Sequence, residues 1–208
     1  MESNIHRYTE FFILFILLPV SFVFNYSFVI KLILGVIGFV YVIYILLKVE
    51  GNTFKINPNL NWKHFWKVTF FKTIIIGVLT TIFVWYTSKD SLFNVVLNKP
   101  FLWLAILFVY SVFSVYPQEL IYRTFYFQRY KNLFVNHQIL MLVNAIVFSL
   151  AHLFFKNSLV ILLTFVGGLL FAFTFHKTKS TFLVSIEHAI YGCWLFTVGM
   201  GEMLGFPT

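Results

Sequence analysis

The chain has 208 residues, of which 60% are hydrophobic, 22% aromatic and only 11% charged, with a formal net charge of +8. A soluble core of this length cannot bury so much apolar surface, which excludes a soluble globular protein and indicates an integral membrane protein. The basic residues are scattered over several intervals and form no stripe, so they predict membrane topology and attraction to anionic lipid. We expect the lipid bilayer as a partner and no nucleic acid.

Seven apolar stretches approach the roughly 20 residues that a helix needs to cross hydrocarbon. They are residues 9–25, 28–48, 65–88, 100–118, 136–155, 157–175 and 180–203. The first contains Pro19, and a signal peptide is the alternative there, but no small-x-small cleavage pattern follows. The sequence predicts an all-α polytopic transmembrane bundle of about seven spans.

If successive loops lie on alternate sides of the membrane, Lys and Arg are unequally distributed between the two sides. One side has Lys89, Lys99 and Lys156, and the other has Arg7, Lys48, Lys55, Lys63, Lys67, Arg123, Arg129, Lys131, Lys177 and Lys179. Because basic residues concentrate on the cytoplasmic side, we expect a cytoplasmic N-terminus. The single cysteine, Cys193, excludes an internal disulfide or thiolate cluster and is predicted to pack in the last span.

Polar side chains are costly inside a membrane, so those within the spans are the functional candidates. They are Gln118, Glu119, Arg123, Asn144, His152, Glu187 and His188, with Lys72 close enough to a span end to snorkel.

The segment "PQELIYR", residues 117–123, is the densest of these polar sites. Pro117 is tolerated in a first helical turn, so a helix is predicted to restart there. Glu119 would then lie where the helix dipole favours a carboxylate, with Arg123 in reach of an ion pair four residues later. A salt bridge at the membrane boundary without chemistry is the plainer alternative.

Glu119, His152 and His188 could act together if they meet. The carboxylate could take a proton from water while the imidazoles hold the water or stabilise an oxyanion. The same three side chains could instead hold zinc, with water as the fourth ligand. At about 1.5 Å per residue, His152 lies about 24 Å into a span that starts at residue 136, and His188 about 12 Å into its own. A meeting therefore requires that the helix of Glu119 continues to about residue 127, and that span five starts deeper or residues 120–136 re-enter the membrane.

These segments resemble a known family. "QELIYR" resembles the E-E-x-x-x-R motif of the CPBP (CaaX protease and bacteriocin-processing, or Abi) intramembrane proteases, and "FSLAH", residues 148–152, matches their F-x-x-x-H. The stretch from Phe165 through "GG" and "TKS" to "SIEH" resembles the family's glycine-bearing span and third motif, H-x-x-x-N. The resemblance covers about residues 100–200.

The resemblance implies a membrane peptidase whose eukaryotic relatives remove the last three residues of prenylated CaaX proteins, while bacterial members are linked to bacteriocin maturation and immunity. It implies N-terminal helices in residues 1–99 and a catalytic core in residues 100–208 of a single membrane domain. It also implies a hydrophobic or lipidated peptide substrate, a multi-pass place in a bacterial cytoplasmic membrane, and no favoured cofactor, with zinc as the alternative. Glu119 matches the second Glu, Arg123 the Arg, and His152 and His188 the two motif histidines.

Two positions depart from the family pattern. Gln118 stands where the first Glu, the assigned general base, is expected, and Gly192 stands where the third motif has Asn. A neutral amide cannot take a proton at working pH. Either Glu119 is the base, helped by Glu187, or the protein is a pseudoprotease, or the glutamine was introduced to trap a complex.

We favour an intramembrane endopeptidase, of glutamate type, with Glu119 as base and Arg123 orienting it. His152 and His188 would hold water or oxyanion, and Phe148 would pack behind the His152 imidazole. Three other classes remain open. A haem protein could use both histidines as axial ligands, a transporter could use the carboxylates and histidines as a proton relay, although no internal repeat is evident, and an inactive immunity or scaffold protein would tolerate Gln118 and Gly192.

Overall fold

A computed structural model describes residues 4–53 and 60–206, and over these ranges the chain is helical with short connections. The α-helices are α1 (Asn4–Phe12), α2 (Leu18–Ser21), α3 (Phe28–Lys48), α4 (Trp62–Thr87), α5 (Asn94–Asn98), α6 (Pro100–Val109), α7 (Tyr116–Glu119), α8 (Tyr126–Tyr130), α9 (His137–Leu150), α10 (Ser158–Thr178) and α11 (Thr181–Val198). Wider π-helical turns occupy Ile13–Leu17, Tyr110–Val115 and Leu120–Phe125, and 3-10 turns occupy Lys89–Ser91, Lys131–Leu133, Leu153–Phe155 and Glu202–Leu204.

Among the described residues, six helices are long and apolar enough to cross a membrane. They are Phe28–Lys48, Trp62–Thr87, Pro100–Leu133, His137–Phe155, Ser158–Thr178 and Thr181–Val198. The all-α polytopic fold is therefore confirmed. The predicted span 9–25 falls on the helical residues 4–21, which are not among the six, so the count of seven stays a prediction. The cytoplasmic N-terminus also stays a prediction, and Lys55 lies outside the described residues.

Large apolar side chains point outward along these helices. Ile37 on α3 and Phe70 and Phe71 on α4 are each at least 60% exposed. Such a surface is unfavourable in water and is stable when lipid chains surround it. The exposed faces explain why the apolar runs are nearly continuous, with no polar face alternating along them.

The helix Pro100–Leu133 is longer than its sequence predicts. The apolar run suggested an end near residue 118 and a restart at Pro117, but Pro117 lies inside a helix that continues to Leu133. Two π-helical segments flank the proline, and such wide turns accommodate a backbone position that cannot donate a hydrogen bond. Glu119 is consequently not in the first turn of a helix, and the predicted dipole effect on it is wrong.

Contacts divide the chain into two compact units. Unit 1 comprises Met1–Lys55 and Gln118–Lys177, and unit 2 comprises Ile56–Pro117 and Thr178–Thr208. The division at residue 100 that follows from the family motifs is not tested by this grouping and stays a prediction.

In unit 1, α9 and α10 pack closely because α10 has a glycine, Gly168, where it faces α9. A Cβ on Gly168 would come within 3.0 Å of the Ala145 Cα atom, so the backbones approach at this point. Ser149 also donates a hydrogen bond of 2.8 Å to the carbonyl of Ile161 on α10. This packing holds the end of α9, where His152 follows.

In unit 2, α11 is anchored on α4 and α6 by tryptophans. The Trp194 indole lies 3.5 Å from the position of a Cβ on Gly77 and donates to the Thr80 hydroxyl at 2.9 Å. Trp103 donates to the Thr197 hydroxyl at 2.9 Å. The α11 helix thereby presents Glu187, His188 and Gly192 at fixed positions within this unit.

Candidate active site

The residues predicted to form the site are divided between the two units. Unit 1 holds Gln118, Glu119, Arg123, Phe148 and His152, and unit 2 holds Glu187, His188 and Gly192.

Glu119 and Arg123 form the ion pair that their spacing predicted. The Arg123 Nε atom lies 3.3 Å from the Glu119 Oε2 atom, and neither side chain has any exposed surface. Both residues are in the interior of the helix Pro100–Leu133, so this is not a salt bridge at its end. Two opposite charges removed from solvent must offset each other, because an uncompensated buried charge is costly.

Arg123 is held from several directions. Its Nη1 atom donates to the Asn144 Oδ1 atom at 2.8 Å, and Asn144 in turn donates to the Tyr122 carbonyl at 2.6 Å. The guanidinium carbon lies 4.8 Å from the Phe148 ring centroid and 5.6 Å from that of Phe171, within cation–π range. Arg123 therefore has a fixed orientation toward Glu119. The bracing role of Asn144 was not predicted, although an amide inside an apolar span had marked the residue as a candidate.

His152 follows the last turn of α9 and is partly exposed. Its Nδ1 atom lies 2.8 Å from the Phe148 carbonyl oxygen. A carbonyl only accepts, so Nδ1 carries the proton, and in neutral His152 the Nε2 atom is the basic nitrogen. The Phe148 and His152 ring centroids are 4.8 Å apart, which confirms that Phe148 packs on the imidazole. Phe148 thus contacts both Arg123 and His152.

The extended helix changes the depth estimates for Glu119 and His152, while the meeting of both residues with His188 stays a prediction. Glu119 lies 14 residues before the helix end at Leu133, and His152 lies 15 residues after the next helix begins at His137. At about 1.5 Å per residue, these positions are roughly 21 Å and 22 Å from the connection between the two helices. The helix itself continues through residues 120–133, so these residues do not form the separate re-entrant segment considered above.

Glu187 is fully buried on α11 and has its own cation. Lys72 Nζ lies 2.8 Å from Glu187 Oε1, and the Tyr191 hydroxyl donates to the same oxygen at 2.8 Å. Lys72, which its sequence position places near enough to a span end to snorkel, pairs its ammonium with this buried carboxylate. Glu187 is thus held by Lys72 and Tyr191 within unit 2. Its predicted support of Glu119 as the base stays a hypothesis.

His188 lies beside Tyr110, a residue outside the sequence motifs. The Tyr110 and His188 rings meet edge to face, with centroids 6.0 Å apart and planes at 83°. A Cβ at Gly192 would come closer than 3.0 Å to the Tyr110 hydroxyl and to two of its ring carbons. The glycine therefore makes room for Tyr110. One tyrosine among eleven in an aromatic-rich chain carried no signal of this role.

Cys193 is half-buried in the same unit, with its Sγ atom 3.5 Å from the Ser111 hydroxyl and its side chain against a cluster that includes Tyr110 and Phe196. It packs in the last span, as predicted.

Zinc as the alternative cofactor stays a prediction. Over residues 4–53 and 60–206, no three His, Cys, Asp or Glu side chains form a group that could hold a metal ion.

A second polar cluster in unit 1 surrounds Glu10. Arg129 was counted as a loop residue in the topology prediction, but it is fully buried and paired with Glu10 and Glu50. The Glu10 carboxylate also accepts hydrogen bonds of 2.7 Å from Tyr41 and Tyr130. Glu10 lies outside the six spans. Burial acts to raise the pKa of Glu10, but the hydrogen bonds from Arg129, Tyr130 and Tyr41 and the Arg129 charge outweigh it and hold the pKa below its ordinary value.

Residues 100–194 match the family described as Rce1-like, Type II CAAX prenyl endopeptidase Rce1-like. The resemblance to the CPBP and CAAX proteases is confirmed over this range, which contains Glu119, Arg123, His152 and His188. The match supports a CAAX-type intramembrane endopeptidase in general terms. Comparison with curated proteins and with solved structures gave no match.

Proposed function

Because residues 100–194 match the CAAX prenyl endopeptidase family, we propose that this protein is an intramembrane endopeptidase of glutamate type. It would cut a peptide bond near the C-terminus of a hydrophobic or lipidated, CaaX-like protein. Glu119 is the general base, His152 and His188 hold the water or the oxyanion, and Arg123 orients the Glu119 carboxylate. The setting is a bacterial cytoplasmic membrane, with the N-terminus on the cytoplasmic side.

The observation that carries the proposal is the fixed carboxylate in the interior of a membrane helix. Glu119 and Arg123 are fully buried 3.3 Å apart, and Asn144 and Phe148 hold Arg123 in place. Intramembrane ionisable groups are expensive and are usually retained for function. Phe148 links this pair to His152, whose imidazole has its tautomer set by the Phe148 carbonyl.

The reaction is a hydrolysis. Glu119 removes a proton from water as the water oxygen attacks the peptide carbonyl carbon, and His152 accepts a hydrogen bond from the same water through Nε2. His188 stabilises the oxyanion of the tetrahedral intermediate. The proton on Glu119 then passes to the leaving nitrogen as the C–N bond breaks, which restores the carboxylate.

An inactive family member is the second candidate, and the observation that favours it is Gln118. The Gln118 amide stands at the motif position of the first Glu, while the Glu119 carboxylate is fully buried and paired with Arg123. A pseudoprotease would keep the fold and bind a lipidated peptide without cutting it.

Peptide cleavage in detergent separates the two candidates. The native protein, Glu119→Gln, Gln118→Glu and the exposed-site control Glu202→Gln are assayed with prenylated and unprenylated CaaX-like peptides, and their thermal unfolding is recorded. We expect cleavage by the native protein and the control, and a loss of about 10²–10⁴-fold in a still folded Glu119→Gln. A silent native protein with cleavage restored in Gln118→Glu would establish the pseudoprotease. Loss of activity with a chelator and recovery with zinc would contradict the glutamate mechanism.

A further inference from the structure

The space around Gly192 is occupied by a polar group from another helix. A Cβ at this position would overlap the Tyr110 hydroxyl and ring carbons Cε1 and Cζ. Residue 192 is one helical turn after His188 on the same face of α11. The Tyr110 hydroxyl therefore lies where a side chain of residue 192 would begin, one turn from the imidazole.

We propose that the Tyr110 hydroxyl replaces the missing Asn side chain of residue 192 and donates a hydrogen bond to the oxyanion, beside His188. The inference rests on the proposed function and names a catalytic group that its motifs do not contain. Asn amides and Tyr hydroxyls both serve as oxyanion donors. A Tyr110 hydroxyl in place of an Asn amide at residue 192 keeps a hydrogen-bond donor in the same volume. The donor then comes from the helix of Tyr110 and not from α11.

The surroundings of Tyr110 hold its ring in place. Its ring packs edge to face on Phe196, with centroids 4.8 Å apart and planes at 79°, and edge to face on His188. The side chain is 9% exposed, so the ring has little freedom to turn away. Tyr110 also begins the π-helical segment Tyr110–Val115, and single π-helical turns occur frequently at functional sites.

Purely structural packing is the competing explanation, since Tyr110 belongs to a buried apolar cluster with Val95, Ile106, Val115 and Phe196. Packing depends on the ring, whereas oxyanion stabilisation depends on the hydroxyl. Removal of the hydroxyl alone therefore distinguishes them.

The test compares Tyr110→Phe, Tyr110→Ala, Gly192→Asn and the double variant Tyr110→Ala/Gly192→Asn, with Tyr116→Phe as the control at an exposed tyrosine of the same helix. Rates of peptide cleavage are resolved into kcat and KM, and thermal midpoints are recorded in detergent. We expect Tyr110→Phe to remain folded and to lose about 10²–10³-fold in kcat with little change in KM. Gly192→Asn should lower the midpoint, because Asn and Tyr110 compete for one volume. The double variant should have a higher midpoint than Gly192→Asn alone. Its kcat should be at least tenfold higher than that of Tyr110→Ala.

Each outcome has one meaning. An active native protein with full kcat in Tyr110→Phe overturns the role of Tyr110 and leaves the proposed function in place. A double variant that cuts no faster than Tyr110→Ala also overturns the exchange of donors. A native protein that cuts no peptide overturns the proposed function and the role of Tyr110 with it, whereas the midpoint data still test whether the two side chains share one volume.

Discussion

Arg129 donates two hydrogen bonds, of 2.9 and 3.0 Å, to the two carboxylate oxygens of Glu10, a residue 119 positions earlier in the chain. The pair joins the N-terminal helix α1 to α8 within unit 1. A forked guanidinium–carboxylate contact of this kind is both strong and geometrically specific. It stabilises this unit from a part of the chain that the family match does not cover.

Glu10→Gln should destabilise the protein strongly. The change leaves Arg129, which has no exposed surface, without its main counter-charge, and breaking a buried pair typically costs roughly 3–5 kcal/mol. The thermal midpoint in detergent should fall clearly below the native value. Glu50→Gln is the matched control, because Glu50 is more exposed and accepts one hydrogen bond from Arg129, so its effect should be smaller. Equal midpoints for native and Glu10→Gln would contradict the role of the pair.

Stability should depend on pH through the same carboxylate. The pKa of Glu10 is lowered in the folded protein from an ordinary value of 4.5, so its contribution is fully present above about pH 4.5. As pH falls below that value and through the lower folded pKa, the unfolded state binds a proton first and the contribution is lost. Thermal midpoints measured from pH 7 to pH 3 should show an acid decline that is shallower in Glu10→Gln. Parallel declines for the two proteins would show that Glu10 is not the group responsible.

Lys72 and Glu187 should behave as a coupled pair. Lys72→Met alone leaves Glu187 buried with a hydrogen bond from Tyr191 but no cation, and roughly 3–5 kcal/mol of stability should be lost. Lys72→Met/Glu187→Leu removes both charges and should recover much of that loss. A double-mutant cycle on unfolding free energies measures the coupling. Strictly additive effects would mean that the 2.8 Å contact contributes nothing to stability.

His152→Ala should remove activity without unfolding the protein. The imidazole is partly exposed and its loss leaves no buried charge, whereas the proposed water would lose the Nε2 acceptor. Cleavage should fall about 10²–10⁴-fold. His137→Ala, at the exposed start of the same helix, is the control and should keep native rates. Full turnover by folded His152→Ala would remove His152 from the mechanism.

Composition and local spacing determined the membrane class, the helical fold, the Glu119–Arg123 pair and the contact of Phe148 with His152. These features depend on the cost of polarity in hydrocarbon and on side chains three or four residues apart, and both can be counted along the chain. Only the tertiary structure decided that the helix runs through Pro117, that Lys72 pairs with Glu187 and Arg129 with Glu10, and that Tyr110 fills the space at Gly192. Each of the three contacts joins residues at least 80 positions apart, so its partner is chosen by how helices pack, and no local periodicity carries that information.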